Sequence, residues 1–93
     1  MAVLEVIKMP GVTVAQYDEV RRLTAFETDQ PKGAVFHVCA SDDSGLRIAD
    51  VWESEADFNN FLEQKLAGAM DKAGVMSPPE VEMFPVHNIF QPG

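Results

Sequence analysis

A single cysteine, seven basic residues and the lack of any long apolar run are the scarcities that bound this 93-residue chain. Cys39 alone excludes an intramolecular disulfide, and its place inside an apolar stretch marks it as a buried structural thiol rather than a nucleophile. Seven Lys and Arg against fifteen Asp and Glu leave a formal charge of −8. A nucleic-acid backbone is gripped by concentrated cations, so no nucleic acid is expected as a partner, and an anionic membrane surface is disfavoured on the same ground. No apolar run approaches the roughly 20 residues that span a bilayer. Residues 1–8 lack a basic segment followed by a long apolar core and a small-residue cleavage site, so a cytoplasmic location is expected. Neither a glycine-rich phosphate loop nor a serine nucleophile elbow occurs, which argues against nucleotide use and esterase chemistry. Two histidines without a ligand spacing, beside one cysteine, specify no metal set, and no cofactor is expected.

What the chain does have is a clear succession of elements. Its length predicts one domain, residues 1–93, and a domain of this size buries only about 60 to 65% of the surface its unfolded chain exposes. Residues 2–8 are apolar with period-2 character and one acid, Glu5, and predict a strand ended by Met9-Pro10-Gly11. Thr13 with Gln16 three residues on predicts a capped helix through Leu23 or Thr24, with Val14, Tyr17, Val20 and Leu23 along its apolar stripe. Residues 26–33 form a polar loop. Residues 34–40 and 46–53 then predict two strands around a turn at 41–45. Ser54 with Asp57 predicts a reciprocal capping box on a second helix, whose apolar positions Phe58, Phe61, Leu62, Leu66, Ala69 and Met70 run on to Gly74. After Pro78-Pro79, residues 80–90 predict a fourth strand. Pro85 inside it lacks a ladder donor and belongs on a sheet edge. This order is the split βαβ pattern, so the expected fold class is α+β, a ferredoxin-like βαββαβ domain with an antiparallel sheet.

A hairpin symmetric about Asp43 and Ser44 sets His37 opposite Asp50 and Val35 opposite Trp52, so a base, an acid and a large aromatic share one sheet face. The other face of these strands carries Phe36, Val38, Ala40, Ala49 and Val51. Two helices cover one face only, and a solvated face alternates apolar with polar residues. The second face therefore needs a partner. A second copy packed sheet to sheet is the simplest, which predicts a homodimer whose sheets close into a barrel-like core.

These residues resemble the dimeric α/β-barrel superfamily, and within it the antibiotic-biosynthesis-monooxygenase-like proteins. The likeness extends over the element order of almost the whole chain, and its specific part is Asp50-Val-Trp-Glu-Ser54 followed by Ala56 and Phe58, similar to that family's strand-to-helix junction with a tryptophan before a serine cap. The superfamily includes cofactor-independent oxygenases of aromatic polyketides, haem-degrading enzymes, small isomerases and cyclases, and many members of no known activity. The resemblance implies that Trp52 lines a pocket between sheet and helices. In the haem-degrading branch a histidine about ten residues beyond the tryptophan ligates iron; here that neighbourhood is Phe61 and Leu62, so haem degradation is disfavoured.

The candidate catalytic pair is His37 and Asp50: the carboxylate fixes the imidazole tautomer and raises its basicity, so that His37 can take a proton from an acidic phenol or enol. A cofactor-free oxygenase needs little more than such a base in a water-poor pocket, since the resulting anion can give an electron to dioxygen. The plainer reading is a half-buried strand histidine satisfied by Asp50, a pair worth about 0.2 to 1 kcal/mol. Trp52, Tyr17, Phe61 and His87 are the candidate substrate-binding residues. His87 falls within the predicted fourth strand, far from His37 in one subunit and able to approach it only across the dimer; its plainer reading is a surface or interface histidine. Glu80 and Glu82 read as a solvated edge that discourages aggregation. The expected function is thus binding of an apolar or aromatic small molecule, with cofactor-independent monooxygenation as the activity. The alternative is a non-enzymatic accessory or carrier protein of the same fold.

Overall fold

A computed structural model describes residues 1–93. The elements run β1 (Val3–Pro10), α1 (Val14–Thr24), β2 (Ala34–Asp42), β3 (Gly45–Trp52), α2 (Glu55–Phe61), a π-helical turn (Leu62–Leu66), α3 (Ala67–Lys72) and β4 (Glu80–Pro85). The four strands form one antiparallel sheet in the order β2-β3-β1-β4, the ferredoxin-like arrangement, with β4 on an edge as its proline requires. No helix is long and apolar enough to cross a membrane.

Local chemistry explains where most elements begin and end. At α1 both halves of the capping box form: the Gln16 amide donates to the Thr13 hydroxyl at 3.1 Å, and the Thr13 amide donates to the Gln16 side chain at 3.0 Å. Val20 and Thr24 are the buried positions of this helix, whereas Val14 lies half exposed at its first turn. At α2 only one half of the expected box forms. The Asp57 amide donates to the Ser54 hydroxyl, but the Asp57 carboxyl is turned against Gly33, filling the space a β-carbon there would need. The second helix is also not one continuous α-helix, because Leu62–Leu66 winds as a π turn between α2 and α3. It ends in a Schellman motif: Gly74 has φ +79°, its amide donates to the Asp71 carbonyl, and the Val75 amide donates to the Met70 carbonyl.

The hairpin keeps the expected register from Phe36↔Val51 and His37↔Asp50 down to Asp42↔Gly45. Val35 does not face Trp52. A β-bulge inserts Val35 as an extra residue, and Ala34 takes the place opposite Trp52. β1 runs two residues further than expected, since Met9 and Pro10 still pair with Leu46 and Gly45. β4, by contrast, stops at Pro85 rather than continuing to Phe90. Pro85 pairs with Val3, the first residue of β1, so the neighbouring strand has run out, and one last bond from the Val86 amide to the Ala2 carbonyl closes the ladder.

The helix-covered face holds a core of Ile7, Met9, Val12, Leu46 and Ile48, against which Tyr17, Cys39 and Met70 pack. The opposite face is open. It carries Leu4 and Val6 of β1, Ala49 and Val51 of β3, Phe36 and Val38 of β2 and Phe84 of β4; Phe36, Val38 and Phe84 are 49%, 47% and 47% exposed. Glu80 and Glu82 alternate with Val81 and Met83 and share this open face, at the edge.

Candidate active site

A cavity of about 330 Å³ lies between the covered face of the sheet and the helices. Its walls are mostly apolar; Tyr17, Gln30, His37 and Asp50 bring polar groups to them, and no lysine or arginine reaches it. Trp52 closes one end, buried, with Phe58 and Phe61 packed on its indole at ring-centre distances of 5.7 Å each. Leu62 and Leu66 reach the cavity from the π turn, whose extra backbone residue shifts the helix face at the site; π turns often sit at functional places for this reason.

Three of these polar residues form a chain. Asp50 of β3 and His37 of β2 meet across the ladder, with Asp50 Oδ1 2.5 Å from His37 Nδ1. On the other edge of the ring, the Tyr17 hydroxyl of α1 lies 2.5 Å from His37 Nε2. Asp50 offers only acceptors, so Nδ1 carries the proton and donates to it, which leaves Nε2 as acceptor for the Tyr17 O–H. Burial, the largest cause, and the nearby Cys39 push the Tyr17 phenol up to about 12, which keeps this hydroxyl a donor at neutral pH. Phe26 packs edge-on to the imidazole at 5.1 Å. About 30% of the His37 side chain is exposed against 10% for Asp50, so the base is reachable while its partner is shielded.

Five of the six residues singled out from the sequence, His37, Asp50, Trp52, Tyr17 and Phe61, line this one cavity. His87 does not. It falls beyond the end of β4, exposed, in the carboxy-terminal segment that crosses towards β2, where the Gln91 amide nitrogen donates to the Val35 carbonyl at 3.5 Å. Phe61 and Leu62, at the place of the iron-ligating histidine in the haem-degrading branch, offer apolar side chains to the cavity and no ligating atom. No cluster of three His, Cys, Asp or Glu side chains with the spacing of a metal site occurs. Cys39 packs beside the core, and burial pushes its thiol above the ordinary value, the direction opposite to a nucleophile's.

Two residues of the site were not singled out from the sequence. Phe26 opens a loop that otherwise reads as polar, and its contact with His37 follows from the path of that loop over the cavity. Glu5 is the more informative omission. It stands opposite Asp50 on the covered face of β1, is wholly buried, and neither of its carboxyl oxygens has a hydrogen-bond partner. Its signal was a lone acid in an apolar strand, in step with Ile7 and Met9.

No family model matches the sequence, and no curated protein matches it. The fold is nevertheless shared with solved structures. SnoaB, a cofactor-independent oxygenase from Streptomyces nogalater, is 17% identical with a TM-score of 0.65 over 95% of this chain and 93% of its own. A monooxygenase from the gene ActVA-Orf6 of Streptomyces coelicolor, in complex with nanaomycin D, is 17% identical with a TM-score of 0.60 over 99% and 92% of the two chains. A protein of unknown function from Nitrosomonas europaea is 18% identical with a TM-score of 0.71 over 99% and 94%. At these identities the likeness establishes the ferredoxin-like α+β fold alone, and activity has to be argued from the site.

Proposed function

We propose that this protein is a homodimeric, cofactor-independent monooxygenase that oxidises an uncharged aromatic phenol or enol. The observation that carries the reading is the Tyr17–His37–Asp50 chain in the wall of a mostly apolar cavity. A base is useful only where a substrate proton can reach it, and His37 is the accessible member. The lack of a lysine or arginine in the lining leaves no counter-charge for a carboxylate or phosphate, which favours a neutral ring system of two or three fused rings.

In the reaction, the substrate hydroxyl gives its proton towards His37, directly or with the Tyr17 hydroxyl passing one proton on as it accepts another. The imidazolium so formed lies between Tyr17 and the Asp50 carboxylate. The electron-rich anion transfers one electron to dioxygen; the carbon radical and superoxide join in a new C–O bond, and the imidazolium returns its proton to the peroxide. Loss of water then leaves a carbonyl where a methylene stood, so that one oxygen atom enters the product, the other leaves as water, and the four electrons lost by carbon are those gained by dioxygen. The apolar walls favour this course by limiting the water that competes for the anion.

The dimer rests on the open sheet face, where Phe36, Val38 and Phe84 are each about half exposed beside Leu4, Val6 and Val51. On this reading His87 enters the site only across that dimer. The test is aerobic incubation with a panel of anthrone-like and naphthol-like compounds, followed by mass analysis of product and dioxygen uptake. Turnover that disappears in His37→Ala, with fold and ligand binding kept, supports the enzyme. Ligands that bind and emerge unchanged in air make the protein a carrier instead.

A further inference from the structure

Glu5 is an ionisable group next to Asp50 that this chemistry leaves unused. It is fully buried, both its oxygens lack partners, and it faces Asp50 across the β1–β3 ladder on the covered side of the sheet. Cross-strand partners on one face hold their β-carbons about 5 Å apart. Two carboxyl groups that close in a buried place resist carrying charge together, so the pair retains one proton up to about neutral pH. Asp50 is committed to accepting the Nδ1–H of His37, which leaves the proton to Glu5.

We infer that Glu5 is a positioning residue for the base: by holding the single proton of the Glu5–Asp50 pair, it leaves Asp50 as the charged acceptor that keeps His37 in the tautomer Tyr17 meets. The inference deepens the reading of His37 as the base and rests on it. The surroundings of Glu5 agree. Asp50 on β3 and Glu55 at the start of α2 are the charged groups acting on it and both are acids; Met83, opposite on β4, is uncharged, and His37 lies beyond Asp50 on β2. Burial first, then Asp50, raise the Glu5 carboxyl to about 7, against a smaller opposing influence of the Trp52 indole N–H. Above neutrality the ionised Glu5 places a second negative charge beside the Asp50–His37 contact, and the site acquires a pH response that belongs to neither residue of the visible pair.

Carboxyl ¹³C and imidazole ¹⁵N NMR titrations of the intact protein and of Glu5→Gln test this. The Glu5 carboxyl carbon should titrate near pH 7, and the His37 ring nitrogens should register a step at the same pH that is lost in Glu5→Gln while the Nδ1–H pattern remains. A Glu5 carbon that titrates in the ordinary carboxylate range, or a His37 step that survives in Glu5→Gln, overturns the inference. Should Glu5→Gln not fold, the Glu5 trace of the unaltered protein decides alone. None of these readouts needs turnover, so an inert panel of aromatics would sink the oxygenase reading without touching the location of the proton.

Discussion

The Tyr17 hydroxyl sits 2.5 Å from Nε2 of His37, on the ring edge opposite the nitrogen that meets Asp50. A helix residue and a strand residue twenty positions apart thus complete a contact that the hairpin alone leaves half made. Tyr17→Phe keeps the ring and its packing but removes the donor. The folded state should lose about 1 kcal/mol, the usual worth of one part-buried hydrogen bond. Turnover should fall roughly 10²-fold if the hydroxyl passes the substrate proton, at the lower end of acid–base contributions. Denaturant melts and steady-state rates read the two effects separately; unchanged turnover would remove Tyr17 from the proton path.

Asp50→Asn asks a sharper question of the same chain. The amide nitrogen can donate, so the substituted side chain can satisfy an unprotonated Nδ1, and the proton then moves to Nε2, the atom that should receive the substrate's. Turnover should drop on the order of 10²- to 10⁴-fold while aromatic ligands still bind, because Asp50 supplies only a small, shielded part of the lining. ¹⁵N shifts of the His37 ring check the tautomer directly. A variant that keeps both the Nδ1–H tautomer and full turnover would show Asp50 to be structural.

How much of this was legible in the sequence depends on the distance over which each feature is decided. The His37–Asp50 contact was, because a two-residue turn at Asp43 and Ser44 fixes the pairing of everything near it. The same rule failed for Val35 and Trp52 two residues further out, where the bulge inserts one residue and nothing in the local composition announces it. The fourth strand ended early because its length is set by β1, which begins at Val3, and not by the apolar character of residues 86–90. The π turn was invisible for a different reason: apolar positions at 58, 61, 62 and 66 satisfy an α-helical face as well as a locally widened one. Glu5 was readable as an inward-facing acid, but its burial follows from β1 lying between β3 and β4, a fact of topology.

The open face predicts association with equal directness. Val38 lies on that face opposite Ala49, is 47% exposed, and does not line the cavity, so a change there tests the interface and not the pocket. In a two-fold assembly each substitution appears twice, and Val38→Lys would bury two cations against apolar partners. Native mass spectrometry should show a dimer for the unaltered protein and a monomer for Val38→Lys at the same concentration. A monomer in both cases would leave the exposed Phe36, Val38 and Phe84 without an explanation.

Glu5 makes stability depend on pH in a direction opposite to that of an ordinary paired carboxylate. Its carboxyl ionises at about 7 in the folded chain against 4.5 when free, so between those values the native state holds a proton that the unfolded state has released. Stability linked to this group is therefore fully present below about pH 4.5, falls as pH rises towards 7, and is flat above. At about 1.4 kcal/mol for each pH unit, the loss comes to about 3 kcal/mol. Glu5→Gln keeps the shape and cannot ionise, so its urea stability relative to the unaltered protein should improve by about that amount between mildly acidic and mildly alkaline pH. The other carboxylates titrate in both proteins and cancel in the difference. Two parallel stability curves across that range would mean that Glu5 ionises as it does in water, and that its burial beside Asp50 is relieved by a group or a water bonded to its carboxyl.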